Sequence, residues 1–152
     1  MFNTQKSSSM EQMRAEEKIF LLVEKTLNVS LEKNPKLYLS NNKYTYIQPD
    51  FYSAQDLIIG EIFSHIGKPK KAQDNKIAND ILKMLLLEKI SGRSYRKMIV
   101  VCDLAEEKKL NGASVLGESI RQFGIEVLYI EIDEALRQEI LAAQERQKMI
   151  NA

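Results

Sequence analysis

The stretch 48-QPDFYSAQDLIIGEIFSHIG-67 decides how the chain folds. A β-type run ending near Tyr52 and a second over 57–63 flank the polar segment 53-SAQD-56, the pattern of two strands joined by a turn. Two acids sit within it: Asp50, directly after Pro49, and Glu61, inside the second run. A hairpin turning symmetrically about Gln55 and Asp56 sets Asp50 opposite Glu61, with both side chains on one face of the sheet. Carboxylates roughly 5 Å apart on neighbouring strands repel, and partial burial raises the cost. Such a pair persists when a shared proton, a basic partner or a divalent cation offsets the repulsion. Hard oxygen ligands on a rigid sheet suit Mg²⁺ or Mn²⁺, which keep several waters and bind through one or two carboxylates plus a phosphate. A one-residue slip of the hairpin would put the two acids on opposite faces.

Working back from this hairpin, residues 37–40 and 43–47 flank Asn41-Asn42, a two-residue turn signal because asparagine tolerates positive φ. The second of these runs leads on to Tyr52, so three antiparallel strands are expected. Before them, Met13, Phe20, Val23 and Leu27 recur at helical spacing and predict a helix over 10–28. Glu16 falls on the same stripe, where an acid is more often a snorkelling edge residue than a functional one. Residues 1–9 are polar and read as a disordered tail.

Forward of the hairpin, Gly67-Lys-Pro69 breaks the sheet and introduces a helix over 70–89. Its expected apolar stripe is Ile77, Ala78, Ile81, Leu82, Leu85 and Leu86, and Ser91-Gly92 ends it. The run 97–102 has the continuous apolar character of a strand buried on both faces. A helix over 113–123 stops at Gly124, and 125–132 forms a further strand. Asp133 can N-cap a last amphipathic helix with Leu136, Ile140 and Ala143 on its apolar face. The expected order is α, β-β-β, α, β, α, β, α: an α/β fold with a central mixed sheet, antiparallel meander plus parallel strands, flanked by helices. No internal repeat or linker divides residues 10–152, which read as a single domain.

Composition is that of an ordinary globular chain: 152 residues, 44% hydrophobic, 28% charged, net charge +1. The near-neutral balance argues against a generally basic coat for nucleic acid and says nothing of local patches. One cysteine, Cys102, rules out an internal disulfide and disfavours a cysteine zinc site. The first residues lack a signal-peptide core and no run has the length of a membrane span, so the expectation is a cytoplasmic chain with no membrane partner.

The helix, the meander with Pro49-Asp50 before the hairpin, the acid of the next strand, then a helix and a strand resemble the PD-(D/E)XK nuclease superfamily over residues 10–132. The resemblance implies a three-layer, restriction endonuclease-like fold and a Mg²⁺- or Mn²⁺-dependent nuclease that hydrolyses DNA phosphodiester bonds. It implies that Asp50 and Glu61 bind the metal and that an acid of the first helix, Glu16 or its neighbour Glu17, completes the site. The family expects lysine two residues after the second acid, and here that position is Phe63. A phenyl ring activates no water. Either the protein is inactive, or a lysine reaches the site from another element, as in members of the family whose lysine has migrated.

Candidates lie in 68-KPKKAQDNK-76. Lys70, Gln73 and Lys76 recur every three residues along the start of the second helix, and related nucleases often carry a glutamine and a basic residue on that helix. Lys70 is slightly preferred as the displaced lysine, with Gln73 orienting it or the nucleophile. For any single lysine, a solvated helix start is the commoner reading. His65, the only histidine, is more readily a surface or core-edge residue than a general base. Cys102 reads as a small core residue, and Tyr38, Tyr44 and Tyr46 are assigned no role. Cutting both strands of a duplex would need two sites, hence a homodimer. The alternative is a catalytically inactive DNA-binding or assembly module on the same fold. A small-molecule-binding domain is the third reading, weakened because no glycine-rich strand-to-helix loop occurs.

Overall fold

The computed structural model describes residues 4–39 and 43–150. Its elements in chain order are α1 (Thr4–Leu27), β1 (Glu32–Lys33), β2 (Leu37–Tyr38), β3 (Tyr46–Ile47), β4 (Phe51–Ser53), β5 (Ile58–Phe63), α2 (Lys71–Ser91), β6 (Arg96–Val101), α3 (Leu104–Leu110), α4 (Val115–Gln122), β7 (Ile125–Tyr129) and α5 (Glu134–Ile150). The fold is α/β, as the sequence predicts. One mixed sheet runs β1-β4-β5-β6-β7, antiparallel up to β5 and parallel from β5 to β7.

Alternation along the central strands builds a core on each face of the sheet. Ile58 and Ile62 of β5, with Met98 and Val100 of β6, pack against Ala15, Ile19 and Val23 of α1 and Leu136 and Ile140 of α5. Ile59 and Phe63, with Ile99 and Val101, pack against Ile77, Ile81 and Met84 of α2 and Leu110 and Ile120 from α3 and α4. Each large aliphatic side chain fully buried here contributes about 1.5–3 kcal/mol. β6 is buried along nearly its whole length, as its apolar sequence requires. Gly124 takes φ +66° after α4, and Asp133 Oδ1 accepts the Leu136 N–H at 2.8 Å at the start of α5. Both of those end signals work as the sequence predicts.

Several expectations are corrected. α1 begins at Thr4 rather than at residue 10, since adding turns to an existing helix costs little; residues 1–3 of the expected tail lie outside the described residues. The run 43–52 is not one strand. Pro49 supplies no N–H, so β3 stops at Ile47 and β4 starts at Phe51. β2 and β3 therefore pair in a separate two-stranded sheet, and the polar β1 takes the edge beside β4. The Asn41-Asn42 turn lies outside the described residues.

Between β6 and β7 there are two helices, not one, because Asp103 caps α3 by accepting the Ala105 N–H at 2.8 Å. The buried stripe of α2 is Ile77, Asp80, Ile81, Met84 and Leu87, while Ala78, Leu82 and Leu86 are exposed. The helix is apolar on several sides, so periodicity alone did not fix which side meets the sheet. β7 ends at Tyr129, short of residue 132. Among the described residues no helix is long and apolar enough to cross a membrane.

Candidate active site

The β4–β5 register is Phe51↔Gly60, Tyr52↔Ile59 and Ser53↔Ile58. One step beyond the ladder, Asp50 meets Glu61, the pairing that a symmetric turn requires. The turn is fixed locally: Ser53 Oγ accepts the Asp56 N–H at 3.0 Å and Leu57 takes φ +54°. Gly60 lets the strands close up here, because a Cβ at that position would collide with the Phe51 ring.

Asp50 Oδ2 accepts the backbone N–H of Ile62 at 2.7 Å, which pins the carboxylate over β5. Its main-chain carbonyl accepts from the Asn34 N–H at 3.2 Å. Glu61 is 8% exposed and its carboxyl is hydrogen-bonded to that of Asp50. Burial, then the Asp50 charge and that hydrogen bond, then Asp80, raise Glu61 to about 9, and Lys76 pulls the other way. At neutral pH Glu61 therefore keeps its proton, and the pair avoids holding two full charges at close range.

Lys76 and Asp80 complete the cluster from α2. The Lys76 amine lies 3.4 Å from Asp80 Oδ2, and Lys83 lies 3.7 Å from Asp80 Oδ1. Partial burial alone would lower Lys76; Asp80, Asp50 and Glu61 together outweigh it, and the amine is held above its ordinary value. Lys76 thus stands in the field of all three acids. Sequence reasoning missed Asp80, although an acid three residues after Ile77 and four before Met84 was the same kind of signal that drew attention to Glu16.

Beyond the carboxyl end of β5 a cavity of about 940 Å³ opens between α1, α5 and the start of α2. Glu16, Lys70, Gln73 and Lys76 all line it. Glu17, the alternative to Glu16, points elsewhere and lies 3.9 Å from the Lys33 amine. Gln73 Oε1 accepts the Lys70 N–H at 3.1 Å, so this glutamine caps the first turn of α2. Asp50 and Glu61 are not part of the cavity lining. They sit beside it, and Lys76 belongs to both places. Of the two lysines, Lys76 is the one whose amine stands in the field of the acids, while Lys70 lines the cavity.

Phe63 is buried in the core on the α2 face, with its ring 6.0 Å from that of His65. His65 lines the cavity, its Nε2 3.2 Å from the Lys68 carbonyl. Cys102 is a buried core residue whose thiol burial pushes up to about 11. Tyr38 and Tyr46 pack on one another in the β2–β3 hairpin, with Lys36 over the Tyr46 ring. Among the described residues no group of three or more His, Cys, Asp or Glu side chains is arranged to hold a metal ion. The donor set on offer is the two-carboxylate one. No family model, curated protein or solved structure matches the chain.

Proposed function

We propose that this protein is a divalent-metal-dependent nuclease of the PD-(D/E)XK type, hydrolysing DNA phosphodiester bonds on a restriction endonuclease-like fold. The observation that carries the reading is the pairing of half-buried Asp50 with buried Glu61, with the Lys76 amine in their field. A sheet tolerates facing acids poorly unless they have a use for one another. The order of α1, the antiparallel β4–β5 pair, α2 and parallel β6 supports the same reading.

Two hard oxygen donors suit Mg²⁺ or Mn²⁺, which take their remaining ligands from water and phosphate. A bound ion would supply Lewis-acid polarisation of the scissile phosphate and would acidify the attacking water. The chain's own residues do the rest. Asp50, fixed by the Ile62 N–H, and Glu61, its proton released to solvent, would hold the cation. Lys76 stands in for the lysine missing at position 63: it positions the nucleophile or offsets charge developing on the phosphate. Gln73 holds the first turn of α2 in shape, Lys70 would meet the nucleic-acid backbone, and Glu16, which lines the cavity from α1, would reach the ion through water. Cutting both strands would pair two such sites in a homodimer.

One observation favours a second reading, a nuclease-fold module that binds DNA without cutting it. Phe63 is packed in the core where the family carries lysine, and the Lys76 amine is engaged by Asp80. Incubation with plasmid and single-stranded DNA in Mg²⁺ or Mn²⁺, beside Asp50→Ala and Glu61→Ala, separates the two. The nuclease cleaves, and both substitutions stop it. Cleavage that survives both removes the site. Salt-sensitive binding without cleavage selects the module.

A further inference from the structure

We infer that the cavity beyond β5 binds one unpaired nucleotide of a nucleic-acid strand and presents its phosphate at Lys76. The inference rests on the nuclease reading for the fate of that phosphate, not for the binding itself.

The chemistry of the wall is divided. Ile62, Ile66 and Ile140 from the α1–α5 face of the sheet and Phe63 from its α2 face give an apolar floor at the end of β5, while Lys68, Lys70, Lys76 and Lys148 bring positive charge from both sides. Two acids, Glu16 and Glu145, share that lining; with the Lys76 amine set against Asp80, the other three lysines still outnumber them. A purely anionic ligand would gain nothing from the floor, and a purely apolar one would gain nothing from the lysines. A nucleotide has a flat base for the first and a phosphate for the second. Its base has to be unpaired and unstacked to lie there, since in a duplex both faces are covered. A volume of about 940 Å³ lies within the range of small-ligand pockets.

The aromatic element is His65. Its ring lies beside that of Phe63 at 6.0 Å and 39°, and its Nε2 is tied to the Lys68 carbonyl. Base stacking on such a ring is tolerant of sequence. The loop that carries it is clamped from two helices. Gln144 of α5 accepts the Ile66 N–H at 2.8 Å and donates to the Ile66 carbonyl at 2.9 Å, while Asp103 accepts the Gly67 N–H at 2.7 Å. The pocket is therefore formed before any ligand arrives. Lys76 joins the pocket to the acids: it lines the cavity and also stands in the field of Asp50 and Glu61.

The test is equilibrium binding in EDTA, so that it reads the pocket whether or not the protein cleaves. The probe is a single-stranded DNA oligonucleotide with a fluorescent adenine analogue at its end. It is compared with the same strand annealed to its complement, and with single-stranded RNA of the same sequence. The single strand binds about tenfold tighter than the duplex, with a change in the analogue's emission. His65→Ala weakens it by a similar factor, and so does the surface variant Lys148→Glu; circular dichroism checks that each is folded. Equal binding of RNA means the base and phosphate are read without the sugar; weaker binding means the sugar is read too. Either agrees with the pocket. Duplex binding as tight as single-strand binding overturns the inference, as does single-strand binding that folded forms of both variants leave unchanged. Cleavage lost with this binding kept removes only the nuclease reading, and the reverse removes only the pocket.

Discussion

The carboxyl of Glu61 is hydrogen-bonded to that of Asp50 at the end of the β4–β5 ladder, and Asp50 Oδ2 accepts the Ile62 N–H at 2.7 Å. This couples the side chain of one strand to both the side chain and the backbone of the next. The result is a unit that stores a proton on Glu61 at neutral pH. A cation held by both carboxylates, as proposed, would displace that proton, which would link metal binding, pH and stability through the same two residues.

Without divalent ions, stability falls as pH rises. Glu61 is raised from its ordinary 4.5 to about 9 in the folded protein. Between those values the native state keeps a proton that the unfolded chain has lost, so the slope of unfolding free energy with pH is negative. The contribution is complete below the unfolded value and is lost as pH rises through the folded one. Denaturant titrations in EDTA across this window show the decline, and Glu61→Gln, which cannot ionise, flattens it.

Mn²⁺ reverses the trend. An ion that binds the folded state at a hundred times its dissociation constant adds about 2.7 kcal/mol. The gain grows with pH because the displaced proton costs less to remove. Thermal unfolding with and without Mn²⁺ measures it, and Asp50→Asn abolishes it.

Gly60→Ala destabilises the fold by about 1–3 kcal/mol, because the new methyl meets the Phe51 ring that lies across from it. Urea denaturation of Gly60→Ala, Phe51→Leu and the double variant reads the contact directly. The double variant loses less than the sum of the two single losses, since the smaller side chain makes room.

Lys76→Ala lowers the cleavage rate about 10²–10³-fold, the loss expected of a charge-stabilising group, while Lys70→Ala lowers it less than about tenfold. Single-turnover cleavage at saturating DNA separates this from weaker binding. A larger effect at Lys70 would return the displaced lysine to the position the sequence favoured.

The register of Asp50 and Glu61 was legible because a symmetric turn leaves one pairing, and the turn residues between Ser53 and Leu57 keep it symmetric. β6, buried along nearly its whole length, was legible from its apolar run. What hid was of two kinds. β1 is a Glu-Lys pair at the sheet edge, too short and too polar for any alternation to register. Asp80 lies on a helix with apolar residues on most sides, so nothing local said that its face, and not that of Leu82 and Leu86, turns inward. The choice among lysines followed from that rotation: the side of α2 that carries Asp80 also brings Lys76 toward the acids.

On the proposed reading, Asp50 and Glu61 form a cation site that exchanges one proton for the ion. Calorimetric titration of Mn²⁺ at neutral pH, repeated in buffers of different ionisation enthalpy, tests it most directly. One ion is expected to bind per chain with release of close to one proton, and both signals are expected to be lost in Asp50→Asn and Glu61→Gln. Binding that releases no proton, or that persists in both variants, would contradict it.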